Sequence, residues 1–296
     1  MSSNEAGRWM AEEVASQPDM WELAVSLAKK FDIARPGARM AVIGCGTSFY
    51  VAQAFAQLRE RLGFGQTDAF AASEYLWERN YDVVVALTRS GTTTEILDTT
   101  ERLKGTTKLI GIVGDPNTPF VNMVDELVSL DFADEQSVVQ TRFATSALAL
   151  LRTGLGEDLT DVIAQARDAL TSELPEAVIN AEQYSFLGVG WGVGIAQEAA
   201  LKMREAAQVW TEAYSAHEYR HGPMSIAQPG RVTWQFGSLL PELARDVKET
   251  GAHFEHGYTD PMVELIRVHR ATLETALERG LNPDTPRNLT RSVILR

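Results

Sequence analysis

The same short grammar occurs twice in this chain. Val42-Ile-Gly-Cys-Gly and Phe186-Leu-Gly-Val-Gly each close an apolar run on a Gly-x-Gly turn and open an amphipathic stretch, at a constant offset of 144 residues. At that offset Gly44 meets Gly188, Gly46 meets Gly190, Ala52 meets Ala196, Gln53 meets Gln197 and Ala56 meets Ala200. Glycine and alanine match easily by chance, so the weight rests on the rhythm around them. The first series runs Met40 to Ile43, then 49–62; Val83 to Leu87, then 93–103; Leu109 to Val113, then an amphipathic stretch from Val124 to Leu130. A polar helix-like stretch at 157–177 separates it from a second series: Ser185 to Leu187, then 193–206; Val232 to Phe236, then 239–249; and His253 to His256. Apolar runs alternating with amphipathic stretches indicate parallel sheets flanked by helices, and the restart indicates an internal duplication.

The expected fold class is therefore α/β, with two doubly wound parallel-sheet lobes. Residues 8–30 carry apolar positions at helical spacing and stop before Pro36, which predicts an N-terminal helical arm over 1–35. The first lobe is placed at 36–155, the second at 156–280, and a C-terminal tail at 281–296 closes over the active site.

Composition excludes several classes of function. Twenty-seven basic residues against 40 acidic ones give a net charge of -13, with no basic footprint for a nucleic-acid backbone. An anionic ligand must then be held by local amides and helix dipoles, because the field of the whole molecule repels it. The single cysteine, Cys45, allows no internal disulfide, and the opening Met1-Ser-Ser-Asn-Glu lacks the basic and apolar segments of a secretory signal. No apolar run approaches the roughly 20 residues needed to span a bilayer. A cytoplasmic location without membrane attachment is expected.

Two segments suit an anion. Gly44-Cys-Gly46-Thr47-Ser48 follows a predicted strand and opens a predicted helix, which places backbone N–H groups and two hydroxyls at the positive end of a helix dipole. A dinucleotide fingerprint would need a third glycine at position 49, where Phe49 stands. Thr88-Arg89-Ser90-Gly91-Thr92-Thr93 again ends a strand and begins a helix, with four hydroxyls and a glycine in six residues. Either segment alone is also an ordinary capped turn. Two on one parallel sheet favour a phosphate site, because such sheets bind ligands at the carboxyl ends of their strands.

Ala200-Leu-Lys202-Met-Arg204-Glu205 is followed sixteen residues later by His221. A carboxylate and an imidazole are what proton transfer beside a carbonyl requires, although Glu205 by itself also fits a solvated helix charge. His217-Glu218-Tyr-Arg-His221 matches the HExxH zinc pattern, but Gly222-Pro223 ends any helix at once, so a metal reading is disfavoured. His253 and His256 are read as structural.

These segments resemble the sugar isomerase (SIS) family of phosphosugar-binding domains, in particular the tandem isomerase half of glucosamine-6-phosphate synthase and the sugar-6-phosphate deaminases and deglycases. Besides those named, the matching segments are 135–142, which includes Val138 and Gln140, 212–223 and 286–292, all in the family order from about residue 36 to the end. The resemblance implies flavodoxin-like lobes and no metal or organic cofactor. It implies that Ser48, Thr88, Ser90 and Thr93 hold a sugar phosphate, and that Glu205 carries a proton between C1 and C2. It further implies that His221 assists ring opening, reaching the site of a neighbouring subunit in a homodimer, and that Lys202 lies near the sugar hydroxyls. Gly46, Thr47, Arg89, Val138, Gln140 and Arg291 would contact substrate.

Three departures from the family bear on substrate. No glutaminase domain lies within these 296 residues, which favours deamination or plain isomerisation over glutamine-dependent synthesis. Arg291 stands where the synthase has its Schiff-base lysine, a role a permanently protonated guanidinium cannot fill. Gln140 and Arg89 replace a serine and a glutamine. The second lobe keeps Gly188 and Gly190 but has Trp191-Gly192 in place of Thr47-Ser48, so it is expected to supply Glu205 and to bind no phosphate. The expected activity is conversion of an amino sugar 6-phosphate by aldose–ketose proton transfer. The rival from another class is a sugar-phosphate sensor without turnover.

Overall fold

The computed structural model describes residues 6–295, so the terminal segment Met1-Ser-Ser-Asn-Glu, read above for the absence of a secretory signal, lies outside the described residues. In chain order its principal elements are α1 (Arg8–Ala15), α2 (Gln17–Ala28), β1 (Met40–Gly44), α3 (Thr47–Arg61), β2 (Thr67–Ala71), β3 (Val83–Thr88), α4 (Thr94–Leu103), β4 (Lys108–Val113), β5 (Glu126–Ser129), α5 (Arg142–Gly154), α6 (Thr160–Ala169) and α7 (Glu176–Ile179). There follow β6 (Gln183–Gly188), α8 (Gly192–Ala207), β7 (Trp210–Ser215), β8 (Arg231–Phe236), α9 (Pro241–Glu249), β9 (His253–Glu255) and α10 (Pro261–Glu278). The chain divides into two compact units. One comprises 6–18, Ser137–Val139 and Thr160–Leu289; the other comprises Asp19–Gln136, Gln140–Leu159 and 290–295.

The unit containing β1 to β5 is built on a five-stranded parallel sheet in the order β2-β1-β3-β4-β5. Its central strands β1 and β3 are buried at every position, as near-continuous Val, Ile and Ala runs must be when helices cover both faces. The strand order reverses between β1 and β3, and a doubly wound sheet opens a crevice at the carboxyl end of such a reversal. Both hydroxyl-rich turns leave the sheet there.

The other unit repeats the plan with four parallel strands in the order β7-β6-β8-β9. The repeated glycines do the same physical job in each. A Cβ on Gly44 would stand 2.6 Å from the Ser48 backbone, and one on Gly188 would stand 2.3 Å from the Val193 backbone. Both positions thus require the bare backbone for the chain to turn from strand into helix, which gives the 144-residue correspondence a structural basis.

Several elements differ from the sequence reading. The stretch 124–130, read as amphipathic cover for β4, is edge strand β5, partly exposed at three of its four positions. Strands β2 and β7 were not anticipated, since TDAFA and WTEAYS mix polar and small residues at a sheet edge. Helix α5, buried at ten of its thirteen positions, and helix α10 also went unread. The leading stretch 8–30 is two helices, α1 and α2, that meet at Ser16.

Candidate functional site

In the five-stranded unit the site begins at two adjacent strand ends. After β1, Gly46 takes φ +54° and caps α3, whose first residues Thr47 and Ser48 are buried. After β3, Thr88, Arg89 and Ser90 are buried and Thr93 caps α4. The loop is drawn tight by its own hydroxyls: Gly91 N–H donates to Thr88 Oγ1 at 3.2 Å, Thr92 N–H donates to Ser90 Oγ at 3.3 Å, and the Ser90 and Thr93 hydroxyls lie 3.4 Å apart. Hydroxyls and two helix N-termini at one sheet reversal form a donor set suited to a phosphate dianion.

Arg89 and Arg291 belong to one network with a residue that sequence reasoning passed over. Glu135, fully buried, accepts from Thr141 N–H at 2.6 Å, Thr141 Oγ1 at 3.0 Å and Arg142 N–H at 2.8 Å, which ties down the start of α5. Its other oxygen faces Arg89 Nη1 at 3.7 Å. Arg89 Nη2 donates to the Arg291 carbonyl at 3.0 Å, and the Arg291 guanidinium donates to the Asp134 carboxylate and the Glu135 carbonyl. Arg291 is thus held within its own unit. Gln140, also in this unit, is half-buried, and its carbonyl oxygen accepts no hydrogen bond among the described residues. Cys45, between the two glycines of the first turn, has its thiol pushed up to about 11 by burial and by the nearby Glu95 charge.

In the four-stranded unit, α8 carries Glu198, Lys202 and Glu205 on one stripe at i, i+4 and i+7. Lys202 is not a surface lysine: it is 1% exposed, and its ammonium contacts the Glu205 carboxylate directly. Glu205 also lines a cavity of about 570 Å³ with Gln208, Trp210, Glu212, Arg287 and Leu289. A carboxylate on a cavity wall, held from behind by a buried ammonium, is equipped to accept and return a proton. His221 ends a 3-10 turn, Ala216–His221, and is exposed, as is His217. That turn does not give the two imidazoles the shared α-helical face HExxH chemistry needs. His253 bonds Glu255 at 2.8 Å and His256 bonds the Gly237 carbonyl at 2.8 Å, both packing roles. Val138 belongs to this unit, with its N–H on the Asp284 carbonyl. The i, i+4, i+7 carboxylate–lysine–carboxylate spacing was present in the sequence and would have revealed Glu198.

Hydroxyl-lined helix N-termini at the strand reversal of a doubly wound α/β sheet suit an anionic ligand. Residues 33–152 match the SIS domain. The chain is 26% identical over 298 residues to glutamine–fructose-6-phosphate aminotransferase (isomerizing) of Sulfurisphaera tokodaii, which covers 86% of this chain and 50% of that protein. The chain thus spans about half the length of such relatives. The crystal structure of glucosamine-6-phosphate deaminase from Thermotoga maritima shares the fold with a TM-score of 0.79 at 22% identity, covering 97% of this chain and all of that one. Tagatose-6-phosphate ketose/aldose isomerase from Escherichia coli gives a TM-score of 0.75 at 18% identity, over 96% of this chain and 97% of that one. Among the described residues no helix is long and apolar enough to cross a membrane.

Proposed function

We propose that this protein is a phosphosugar isomerase-type enzyme that acts on an amino sugar 6-phosphate and releases its nitrogen. The observation that carries the reading is the Glu205 carboxylate on a cavity wall, held by the buried Lys202 ammonium, in a chain whose other unit gathers a phosphate-type donor set. Ser48, Thr88, Ser90 and Thr93 anchor the phosphate. His221, from the same chain or from a second copy in a homodimer, assists ring opening. Glu205 then removes the C2 proton of the open-chain 2-amino aldose, and the electron pair moves to the carbonyl oxygen through an enolamine. Reprotonation at C1 gives a C2 imine, which water hydrolyses to ketose phosphate and ammonia. With a neutral sugar the same proton transfer interconverts aldose and ketose. Gly46, Thr47, Arg89, Val138 and Gln140 shape the site, and Arg291 acts by fastening the segment that bears it. The reaction needs no organic cofactor.

The test is to incubate the protein with glucosamine 6-phosphate and a panel of related 6-phosphates while following ammonia and ketose phosphate together. Both products in equal amounts support the reading, provided Glu205→Gln abolishes them and keeps ligand binding. Ketose alone from a neutral sugar makes the protein a plain isomerase. Thermal stabilisation by a ligand with no product moves it to a sensor.

A further inference from the structure

Behind Glu205 the core of the four-stranded unit holds charge that the reaction above does not use. Glu198 is fully buried, and neither of its carboxylate oxygens accepts a hydrogen bond among the described residues. An unsatisfied carboxylate in a core is expensive, so its surroundings should explain it. Its Oε1 lies 3.9 Å from Lys202 Nζ, and its Oε2 lies 3.8 Å from Nε2 of His269, a fully buried residue of α10. On the far side of the imidazole, Gln17 Nε2 lies 3.1 Å from His269 Nδ1 and donates to the Val14 carbonyl at 3.4 Å.

The chemistry of these contacts fixes the tautomer. A carbonyl can only accept, so the Gln17 atom facing Val14 is the amide nitrogen, and that nitrogen is a donor toward His269 as well. Nδ1 therefore accepts and the ring proton resides on Nε2, the nitrogen that lies 3.8 Å from Glu198 Oε2 and makes no hydrogen bond among the described residues. Read outward, the chain is Gln17, His269, Glu198, Lys202, Glu205, and it runs from the core to the cavity wall.

We infer that His269 is a positioning residue for Glu205, acting through Glu198 and Lys202, a role that rests on Glu205 being the proton carrier. With the Nε2 proton on its side of the ring, Glu198 is drawn toward the imidazole and faces the ammonium of Lys202 from the core side. Lys202 is then shared between two carboxylates, and its placement fixes the carboxylate that faces substrate. Such an arrangement orients the base without contributing to substrate affinity.

The test uses two replacements of similar size. His269→Gln sets an amide N–H near the place of Nε2 and should keep kcat within about threefold, whereas His269→Asn reaches only the Nδ1 place and should lower kcat by about tenfold or more with KM unchanged, the scale expected when a group that orients a functional side chain from behind is displaced. Equal kcat values in the two variants, whether both high or both low, would overturn the inference. A nitrogen-15 spectrum of the five histidines reads the tautomer of native His269 without any turnover. An Nδ1–H signal sinks the proposal even if the enzyme is active, while an Nε2–H signal that is altered in Glu198→Gln upholds the contact even if no phosphosugar is converted.

Discussion

The Lys202 ammonium contacts the Glu205 carboxylate from one turn earlier on α8, with the lysine side chain 1% and the glutamate side chain 21% exposed. The same ammonium faces fully buried Glu198 at 3.9 Å. Removing it leaves a carboxylate in the core with no cation beside it, which costs far more than the loss of a surface pair. Lys202→Met is expected to lower unfolding free energy by about 3–5 kcal/mol in urea titrations. Adding Glu198→Gln to that variant should recover most of the stability and none of the turnover. A Lys202→Met protein as stable as the parent would show that the ammonium does not support the buried carboxylate.

Gly91 sits at φ +61°, and a Cβ there would stand 2.0 Å from Thr118 Oγ1. Its N–H is also the donor that draws the loop onto Thr88 Oγ1. Gly91→Ala must therefore open the turn or push Thr118 aside, at a cost of about 1–3 kcal/mol. Binding of inorganic phosphate or a sugar phosphate, measured by calorimetry, should weaken at least tenfold. The same substitution at Gly37, which has φ +79° but open space around it, carries the backbone strain alone and should leave phosphate binding unchanged.

The hydroxyl-rich turn at 88–93 was legible because its chemistry is local: hydroxyls, a glycine and a helix start within six residues need no distant partner to be recognised. The repeated Gly-x-Gly turns were legible for the same reason. What escaped were features made by tertiary contact. Glu135 looks like any acidic loop residue until α5 is capped by it, and β7 reads as a polar stretch until it pairs with β6. His269 lies among the alternating charges and apolar residues of α10, and only the approach of Gln17 and Glu198 gives its ring a direction.

Cys45 tests the electrostatics of the first turn. Burial, aided by the Glu95 charge, raises its thiol to about 11. Only the thiolate reacts with alkylating agents, so at pH 8 roughly 0.1% of the thiol is reactive, against about a quarter of an unperturbed cysteine. Iodoacetamide should label the native protein orders of magnitude more slowly than the denatured chain, with mass spectrometry as the readout. In Glu95→Gln the thiol should label faster, because one of the two raising influences is gone. Rapid labelling of the native parent would contradict the burial of this thiol.

Glu255 sets an acid limit on the four-stranded unit. Burial raises its carboxyl, but the hydrogen bond from His253 and the charge and hydrogen bond of Arg267 outweigh that, leaving it below its ordinary value. A carboxyl lowered by folding contributes stability above its unfolded value, and that contribution is lost as the pH falls through the folded value. Stability should therefore decline on acidification below about pH 5, as the unfolded carboxyl begins to take up its proton ahead of the folded one. Glu255→Gln should flatten that limb in chemical denaturation while lowering stability at pH 7. An unchanged acid limb in the variant would assign the decline to other carboxyls.

Arg291 governs how the last described residues lie on the hydroxyl-rich turn at 88–93. From 291 onward the chain is fastened there by Arg89 Nη2 on the Arg291 carbonyl at 3.0 Å, Thr92 Oγ1 on Ser292 Oγ at 2.9 Å, Thr94 N–H on the Val293 carbonyl at 3.1 Å and Leu295 N–H on Thr94 Oγ1 at 3.0 Å. The guanidinium holds the near end of this segment to Asp134 and the Glu135 carbonyl, a two-pronged contact that an ammonium cannot reproduce. Its side chain is 35% exposed, so Arg291→Lys should cost global stability no more than about 1 kcal/mol. Amide exchange at 292–295 should nonetheless accelerate, and KM for a phosphosugar should rise, because the segment lies against the loop that carries Ser90 and Thr93. Faster exchange without a change in KM would separate the fastening of the tail from the binding of substrate.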